Sequence, residues 1–298
     1  MGIHLLNRFL RSKNPPGIQE LHLKNFTGKK IAIDISIYLY RYASQDALTK
    51  NILKMCEIFK LYKIRPLFVF DGKSNRKKDE TLKKRKQQKR IAYNKYLELK
   101  KNNNNMNFIT KNKSRLLCEL KRKSTFINIE MINKIKNLLD SLGNTYITAE
   151  GEADELCAAL AKTKRVDAVL SEDTDMFAYG VPVVLKYFSF VKHTIVKYDI
   201  SIILQNLNLN YEEFLDICVL SGTDYNKSYG NLFDIYNNMI EYKKLPENDI
   251  SFDMWVSNNK IITGNITEVM ESKQYYKINE MRILKKYPFI VIKHGRTF

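Results

Sequence analysis

The chain has 298 residues and a formal charge of +18, from 50 Lys and Arg against 32 Asp and Glu. The length suits one large α/β domain with an insertion, or two small ones. No apolar run approaches 18 residues, and Met1 to Leu6 carries no signal-peptide pattern, which argues against a membrane protein and for a soluble, intracellular one.

Lys29 to Ile35 reads as a buried strand, Ser36 to Leu61 as one long amphipathic helix and Arg65 to Phe70 as a second strand. Together they predict a βαβ unit with a right-handed crossover. From Lys73 to about Lys101 the pattern is helical and almost wholly polar, with Leu82, Ile91, Tyr93, Tyr96 and Leu99 as a thin apolar stripe. Lys78 and Arg85, seven apart, share a face of that helix. Asn102 to Asn105 reads as a loop tip. Phe126 to Leu142 is a helix closed by Gly143, Asn144 to Thr148 a strand and Glu152 to Lys164 a helix. Asp167 to Leu170 and Pro182 to Tyr187 are strands, and Tyr211 to Leu220 is a helix entering Ser221-Gly222-Thr223-Asp224. This order predicts an α/β fold, a mostly parallel central sheet sandwiched by helices. A basic insertion rises over the sheet's carboxyl edge.

Charge is uneven along the chain. Residues 73–123 hold nineteen Lys and Arg against four acids, a net of +15, so the rest is nearly neutral. Clustered cations of this kind usually neutralise phosphates, which marks the insertion as a nucleic-acid contact surface rather than a solvated or partner-binding tail. Cys56, Cys118, Cys157 and Cys218 stand singly without a CxxC, so no disulfide frame or zinc site is indicated. Leu6 in place of Ser or Thr argues against myristoylation of Gly2.

The acids show the opposite concentration. Five apolar runs end in carboxylates: Asp34, Asp71, the Glu150-Gly-Glu152-Ala-Asp154 stretch, Glu172-Asp173-Thr-Asp175, and Asp224. In an open α/β sheet the carboxyl ends of strands converge on one crevice. Carboxylates gathered there repel each other unless cations sit among them, and oxygen-only donors suit Mg²⁺ or Mn²⁺. The residues predict a metal-dependent enzyme acting on a polyanion.

The most specific stretches are Gly151-Glu-Ala-Asp-Glu-Leu-Cys-Ala-Ala-Leu160, then Ser171-Glu-Asp-Thr-Asp175, and Leu209 to Cys218 running into Gly222-Thr-Asp-Tyr225, with Phe70-Asp-Gly-Lys73 before them. In this order they resemble the XPG-type structure-specific 5′ nucleases, the flap endonuclease family with a PIN-like fold. The resemblance runs from Met1-Gly2-Ile3 to about Tyr225. It implies Asp34, Asp71, Glu152 and Asp154 around one metal ion, and Asp173, Asp175 and Asp224 around a second. Glu150 is an alternative in the Glu150/Glu152 register. Mg²⁺ is the implied ion, with Mn²⁺ able to substitute. The resemblance further implies that Lys78 and Arg85 touch the scissile phosphate and that Tyr40 stacks on a base beside the cleaved bond. Gly2 is implied to lie near the site, with Lys73, Arg76, Lys77, Lys83, Lys84, Lys86, Lys89 and Arg90 as further DNA contacts.

The implied domains are a nuclease core in residues 1–72 and 126–225, a helical arch in 73–125 and a helical region in 226–298. The implied activity is cleavage of DNA flaps, nicks, gaps or junctions in replication, recombination or repair, by a monomer. The expected compartment is the nucleus or, for a viral protein, a cytoplasmic replication factory. A 5′→3′ exonuclease on DNA or RNA, and an inactive nucleic-acid-binding relative, are the alternatives. Three features depart from the family pattern. Leu5 replaces a Gly, and the arch carries an Asn run. Asn226 to Tyr236 lacks the Gly-x-Gly-Pro turn of the K⁺-holding helical element that grips duplex. No sliding-clamp motif is recognisable. The reduced pattern resembles family members from large DNA viruses.

Overall fold

The computed structural model describes residues 2–13, 16–72, 79–103, 111–245, 250–259, 261, 266–288 and 290, except for the side chains of 79–82, 85, 102, 103, 111–113 and 266. Helix α1 (Leu6–Ser12) and strand β1 (Ile18–His22) lead through a 3₁₀ turn (Leu23–Phe26) to β2 (Lys30–Asp34). Helices α2 (Ser36–Ser44) and α3 (Leu48–Leu61) precede β3 (Arg65–Phe70). Then come α4 (Asp79–Asn103), α5 (Lys111–Ser124), α6 (Ile129–Ser141) and β4 (Thr145–Thr148). Next are α7 (Ala153–Lys162), β5 (Ala168–Leu170), α8 (Asp175–Ala178), β6 (Val183–Lys186) and β7 (Thr194–Asp199). Helices α9 (Ile200–Leu207), α10 (Tyr211–Leu220), α11 (Leu232–Tyr242), α12 (Phe252–Asn258), α13 (Ile266–Tyr276) and α14 (Glu280–Lys285) follow.

Among the described residues the strands form one sheet in the order β1-β7-β6-β5-β2-β3-β4. The five strands from β6 to β4 run parallel, while β7 and β1 add antiparallel at one edge. From β2 the chain steps outward to β3 and β4, then returns to the other side of β2 for β5 and β6. The reversal opens a crevice between the carboxyl ends of β2 and β5, the point at which doubly wound sheets hold their ligands.

Strand alternation divides the core in two. Ile31, Ile33, Phe68 and Phe70 face one layer with Tyr38, Ile52, Met55, Phe59, Ile135 and Leu139, from α2, α3 and α6. Ala32, Leu67 and Val69 face the other, with Leu6, Phe9, Leu156, Leu160 and Phe214, from α1, α7 and α10. The expected sandwich of helices on a mostly parallel sheet is therefore present.

Two element expectations are corrected. The single helix over Ser36 to Leu61 is broken at residues 45–47, where Asp46 adopts φ +54° and the chain restarts as α3. Asp is among the few residues that take this left-handed conformation at modest cost, and its carboxylate pairs with Lys121 of α5. The insertion, read as helical from Lys73 to about Lys101, holds a second helix beyond it, α5. Helices α4 and α5 pack on one another, α5 also packs on α2, and Ala92 and Leu120 are buried. The Asn102 to Asn105 tip lies partly outside the described residues. Among the described residues, no helix is long and apolar enough to cross a membrane.

Candidate active site

Every candidate acid except Asp224 sits where a strand hands over to a helix. Asp34 is the last residue of β2 and is buried. Its Oδ1 accepts a hydrogen bond from the backbone N–H of Ser36 at 3.2 Å, and its Oδ2 accepts one from Ser171 Oγ at 2.9 Å, across the crevice from β5. Ser36 Oγ donates to Asp71 Oδ2 at 2.5 Å, so one serine at the start of α2 ties the ends of β2 and β3. Asp71 Oδ1 accepts from the backbone N–H of Ala153 at 2.9 Å, the first residue of α7. An anion at a helix N-terminus is favoured by the exposed amides and the helix dipole. Glu152 is the N-cap residue of the same helix and Asp154 lies in its first turn.

On the other side of the crevice, Ser171 Oγ also accepts from the backbone N–H of Asp173 at 3.0 Å, and Asp173 Oδ1 accepts from that of Asp175 at 3.2 Å. Both acids are buried, with Asp175 in the first turn of α8. Asp175 Oδ2 accepts from the Tyr276 hydroxyl at 3.3 Å. Asp224 follows α10 and is close enough for its charge to act on Tyr276.

Two glycines let the backbone come close. A Cβ on Gly2, which has φ +76°, would collide with Asp173 Oδ1, Thr174 Oγ1 and Asp175 Oδ1, so the amino-terminal segment lies directly on this acid loop. A Cβ on Gly72 would collide with the carbonyls of Ala149 and Glu150, and its N–H donates to Gly151 O at 2.8 Å. That contact brings Asp71 beside the loop leading to Glu152 and Asp154.

Electrostatics shows the acids acting on one another. The Asp34 carboxyl is pushed up to about 7, first by burial and then by the charge of Asp71, with Asp173 adding to it and the Ser171 hydrogen bond opposing. Asp154 is pushed well above the usual carboxylate range, first by desolvation and then by Asp34, Asp173, Asp175 and Asp71. Five of the acids read from the sequence, Asp34, Asp71, Asp154, Asp173 and Asp175, thus lie close enough to act on one another. Glu150 does not join them: it is exposed, its carboxylate pairs with Lys286 beyond α14, and its backbone N–H donates to the Tyr287 hydroxyl at 2.8 Å. Of the acids in this stretch, Asp154 is the one on which Asp34, Asp71, Asp173 and Asp175 act.

Among the described residues, no three His, Cys or acidic side chains are placed so that together they could hold a metal ion. The carboxylates form an open, mutually repelling group, and oxygen-only donors of that kind fit hard divalent cations rather than soft ones.

Among the other sites read from the sequence, Tyr40 is exposed on α2 and Lys89 Nζ lies 4.0 Å from its ring centroid. Lys83, Lys84, Lys86 and Arg90 are exposed on α4. Lys73, Arg76, Lys77 and Lys78 lie outside the described residues, as does the side chain of Arg85. The sequence reading missed Ser36, Ser171 and Lys186. Lys186 is 2% exposed, donates to Glu172 O at 2.6 Å and Asp173 O at 3.4 Å, and burial pulls its ammonium down to about 8. A lysine inside the apolar run Val183-Val-Leu-Lys186 was the available signal, because unpaired lysines are almost never fully buried.

Two family models match this chain, the XPG N-terminal domain over residues 1–92 and the XPG I-region over 143–224, more than half of it together. The chain belongs to the XPG-type flap endonuclease family. It is 28% identical to flap endonuclease 1 of Encephalitozoon cuniculi (strain GB-M1), over 92% of this chain and 84% of that protein. It is 30% identical to flap endonuclease 1 of Mus musculus, over 76% of this chain but only 62% of the mouse protein, so it spans about three fifths of that relative's length. The fold is similar to the catalytic core of Rad2 in complex with DNA substrate, with a TM-score of 0.64 and 23% identity, covering 92% of this chain and 84% of that one. The two matched XPG segments contain the seven acids read from the sequence as candidate ligands, from Asp34 to Asp224, while Lys286, the partner of Glu150, falls outside both.

Proposed function

We propose that this chain is a metal-dependent, structure-specific 5′ nuclease that hydrolyses phosphodiester bonds in DNA flaps, nicks, gaps or junctions. The observation that carries the reading is the hydrogen-bonded acid group at the switch between β2 and β5, inside a chain whose excess charge is basic. Acids at that point are costly to gather and of use where divalent cations must meet a polyanion.

In this reading Asp34, Asp71, Glu152 and Asp154 hold one ion, and Asp173, Asp175 and Asp224 a second, with Mg²⁺ as the physiological ion and Mn²⁺ as a substitute. When bound, the ions supply an acidified water and neutralise charge at phosphorus and on the leaving oxygen. The chain's own residues do the rest. Ser36, Ser171 and the first amide of α7 fix the carboxylates before substrate arrives. Lys78 and Arg85 contact the scissile phosphate, which offsets the acidic floor and stabilises charge developing in the transition state. Tyr40 offers a face for a base beside the cleaved bond, and Gly2 closes the cleft next to Asp173. Residues 73–125 act as the arch over this cleft, with Lys83, Lys84, Lys86, Lys89 and Arg90 on backbone phosphates. Residues 1–72 and 126–225 form the core, with 226–298 as a helical region.

The test is cleavage, in Mg²⁺, of end-labelled flap, nick, gap, Holliday junction, single-strand and RNA-duplex substrates. Preferred cutting near the 5′ end of a branched DNA is the expected result. Cutting of none of them, or stepwise removal of nucleotides from every 5′ end without regard to branching, overturns it.

A further inference from the structure

Helix α13 lies outside both matched XPG segments, yet it reaches the acid group. Tyr276, at its last position, is 0% exposed and donates to Asp175 Oδ2 at 3.3 Å. Its ring packs edge-on against Tyr225, the residue after Asp224, and the charge of Asp224 acts on its hydroxyl. One phenol therefore touches the two loops that carry Asp175 and Asp224.

Its placement is enforced. Lys273, three residues earlier and so on the same face of α13, bonds Asp216 at 2.5 Å and Glu212 at 3.3 Å, both on α10. Lys277 bonds Glu212 at 2.8 Å. Around the ring, Tyr179 lies 5.0 Å away and Tyr225 packs edge-on at 5.6 Å, while Tyr225 stacks on Tyr275 at 4.6 Å. Ion pairs tie the helix along α10, and the rings of Tyr179 and Tyr225 pack against that of Tyr276.

We propose that Tyr276 is a positioning residue that fixes Asp175 relative to Asp224 for divalent-cation binding. The proposal rests on the metal-dependent reading given above. Hydrogen bonds that orient a ligating carboxylate are worth about 10-fold or more in metal affinity.

The experiment compares the full-length wild type with Tyr276→Phe, Tyr275→Phe and Asp173→Ala. Mn²⁺ binding is followed without DNA by electron paramagnetic resonance, and melting with and without Mn²⁺. Flap-DNA affinity is measured in EDTA. For Y276F we expect Mn²⁺ affinity about 10-fold weaker and a smaller Mn²⁺-induced rise in Tm, with DNA affinity within about 2-fold of wild type. Y275F should match wild type. Mn²⁺ affinity within about 2-fold of wild type in Y276F overturns the proposal, as does an equal loss of Tm with and without Mn²⁺, which marks a packing role alone. If D173A also binds Mn²⁺ as wild type does, it is the metal-dependent reading that fails. If D173A loses binding and Y276F keeps it, only the role of Tyr276 fails.

Discussion

Ser171 Oγ donates to Asp34 Oδ2 at 2.9 Å, joining the carboxyl ends of β5 and β2 across the point where strand order reverses. Residues 137 apart in sequence are thereby held within one crevice, and the acids on either side inherit that spacing. The first prediction follows from it. Asp71→Ala and Asp173→Ala should abolish Mg²⁺-dependent cleavage while DNA binding stays intact or strengthens, since each removes a negative charge near the phosphates. Single-turnover cleavage and equilibrium binding in EDTA measure the two separately, and near wild-type cleavage by either variant counts against the two-ion arrangement.

Lys78 and Arg85 are predicted to act on the scissile phosphate rather than on affinity. Lys78→Ala and Arg85→Ala should slow single-turnover cleavage by on the order of 10²-fold, the scale of a lost electrostatic stabiliser. Lys86→Ala and Lys89→Ala should mainly weaken binding and flatten its salt dependence. Equal small effects at all four positions would assign Lys78 and Arg85 to the general basic face.

The turn after Asp224 predicts indifference to K⁺. Asn226 is buried, and its side-chain amide donates to the carbonyls of Val219 at 2.8 Å and Lys227 at 2.9 Å. Those carbonyls already have partners, and no Gly-x-Gly-Pro turn follows to present others. Duplex affinity should then depend on the basic insertion, with a steep salt dependence that is the same in matched KCl and NaCl. A marked K⁺ preference in binding or cleavage would contradict this.

Asp34 predicts how stability responds to pH without metal. In the folded chain its carboxyl is pushed up to about 7 from an ordinary 3.8, by burial first and neighbouring Asp71 second. The folded state therefore holds its proton more tightly than the unfolded state does. Below about pH 4 both carry it, and between about pH 4 and 7 stability falls as pH rises. In EDTA, wild type should lose more Tm from pH 5 to pH 8 than Asp34→Asn does, by about 5 °C. Mg²⁺ at pH 8 should restore wild type more than the variant. An identical pH profile for the two would remove Asp34 from the repelling group.

Much of this was legible in the sequence because it was written locally. Arg65 to Phe70 and Tyr211 to Leu220 match β3 and α10 residue for residue, since a continuous apolar run and an Asn-capped amphipathic run are short-range signals. The acids were legible because strand ends in an α/β sheet share an edge. β1, with the sequence Ile18-Gln-Glu-Leu-His22, was not: as an edge strand it needs no buried run and shows none. The break at Asp46 depends on one backbone angle and on Lys121 of α5, 75 residues away. Ser36 and Ser171 look like ordinary polar residues until strand pairing brings β2, β3 and β5 together. Tyr276 carries no motif at all, and only the docking of α13 on α10 gives it a role.

The same docking bears on how the molecule comes apart. Helix α14 bonds Lys162 of α7 through Glu280 at 2.6 Å, and Tyr287 accepts through its carbonyl from Arg165 at 3.1 Å and through its hydroxyl from Glu150 N–H. Helices that share buried contacts and ion pairs with the core tend to open with it as one cooperative unit. A protease or a denaturant should therefore find no stage at which residues 266–288 are released while the nuclease core stays closed. For this chain, shedding the carboxyl-terminal helices and losing the acid crevice would be a single event.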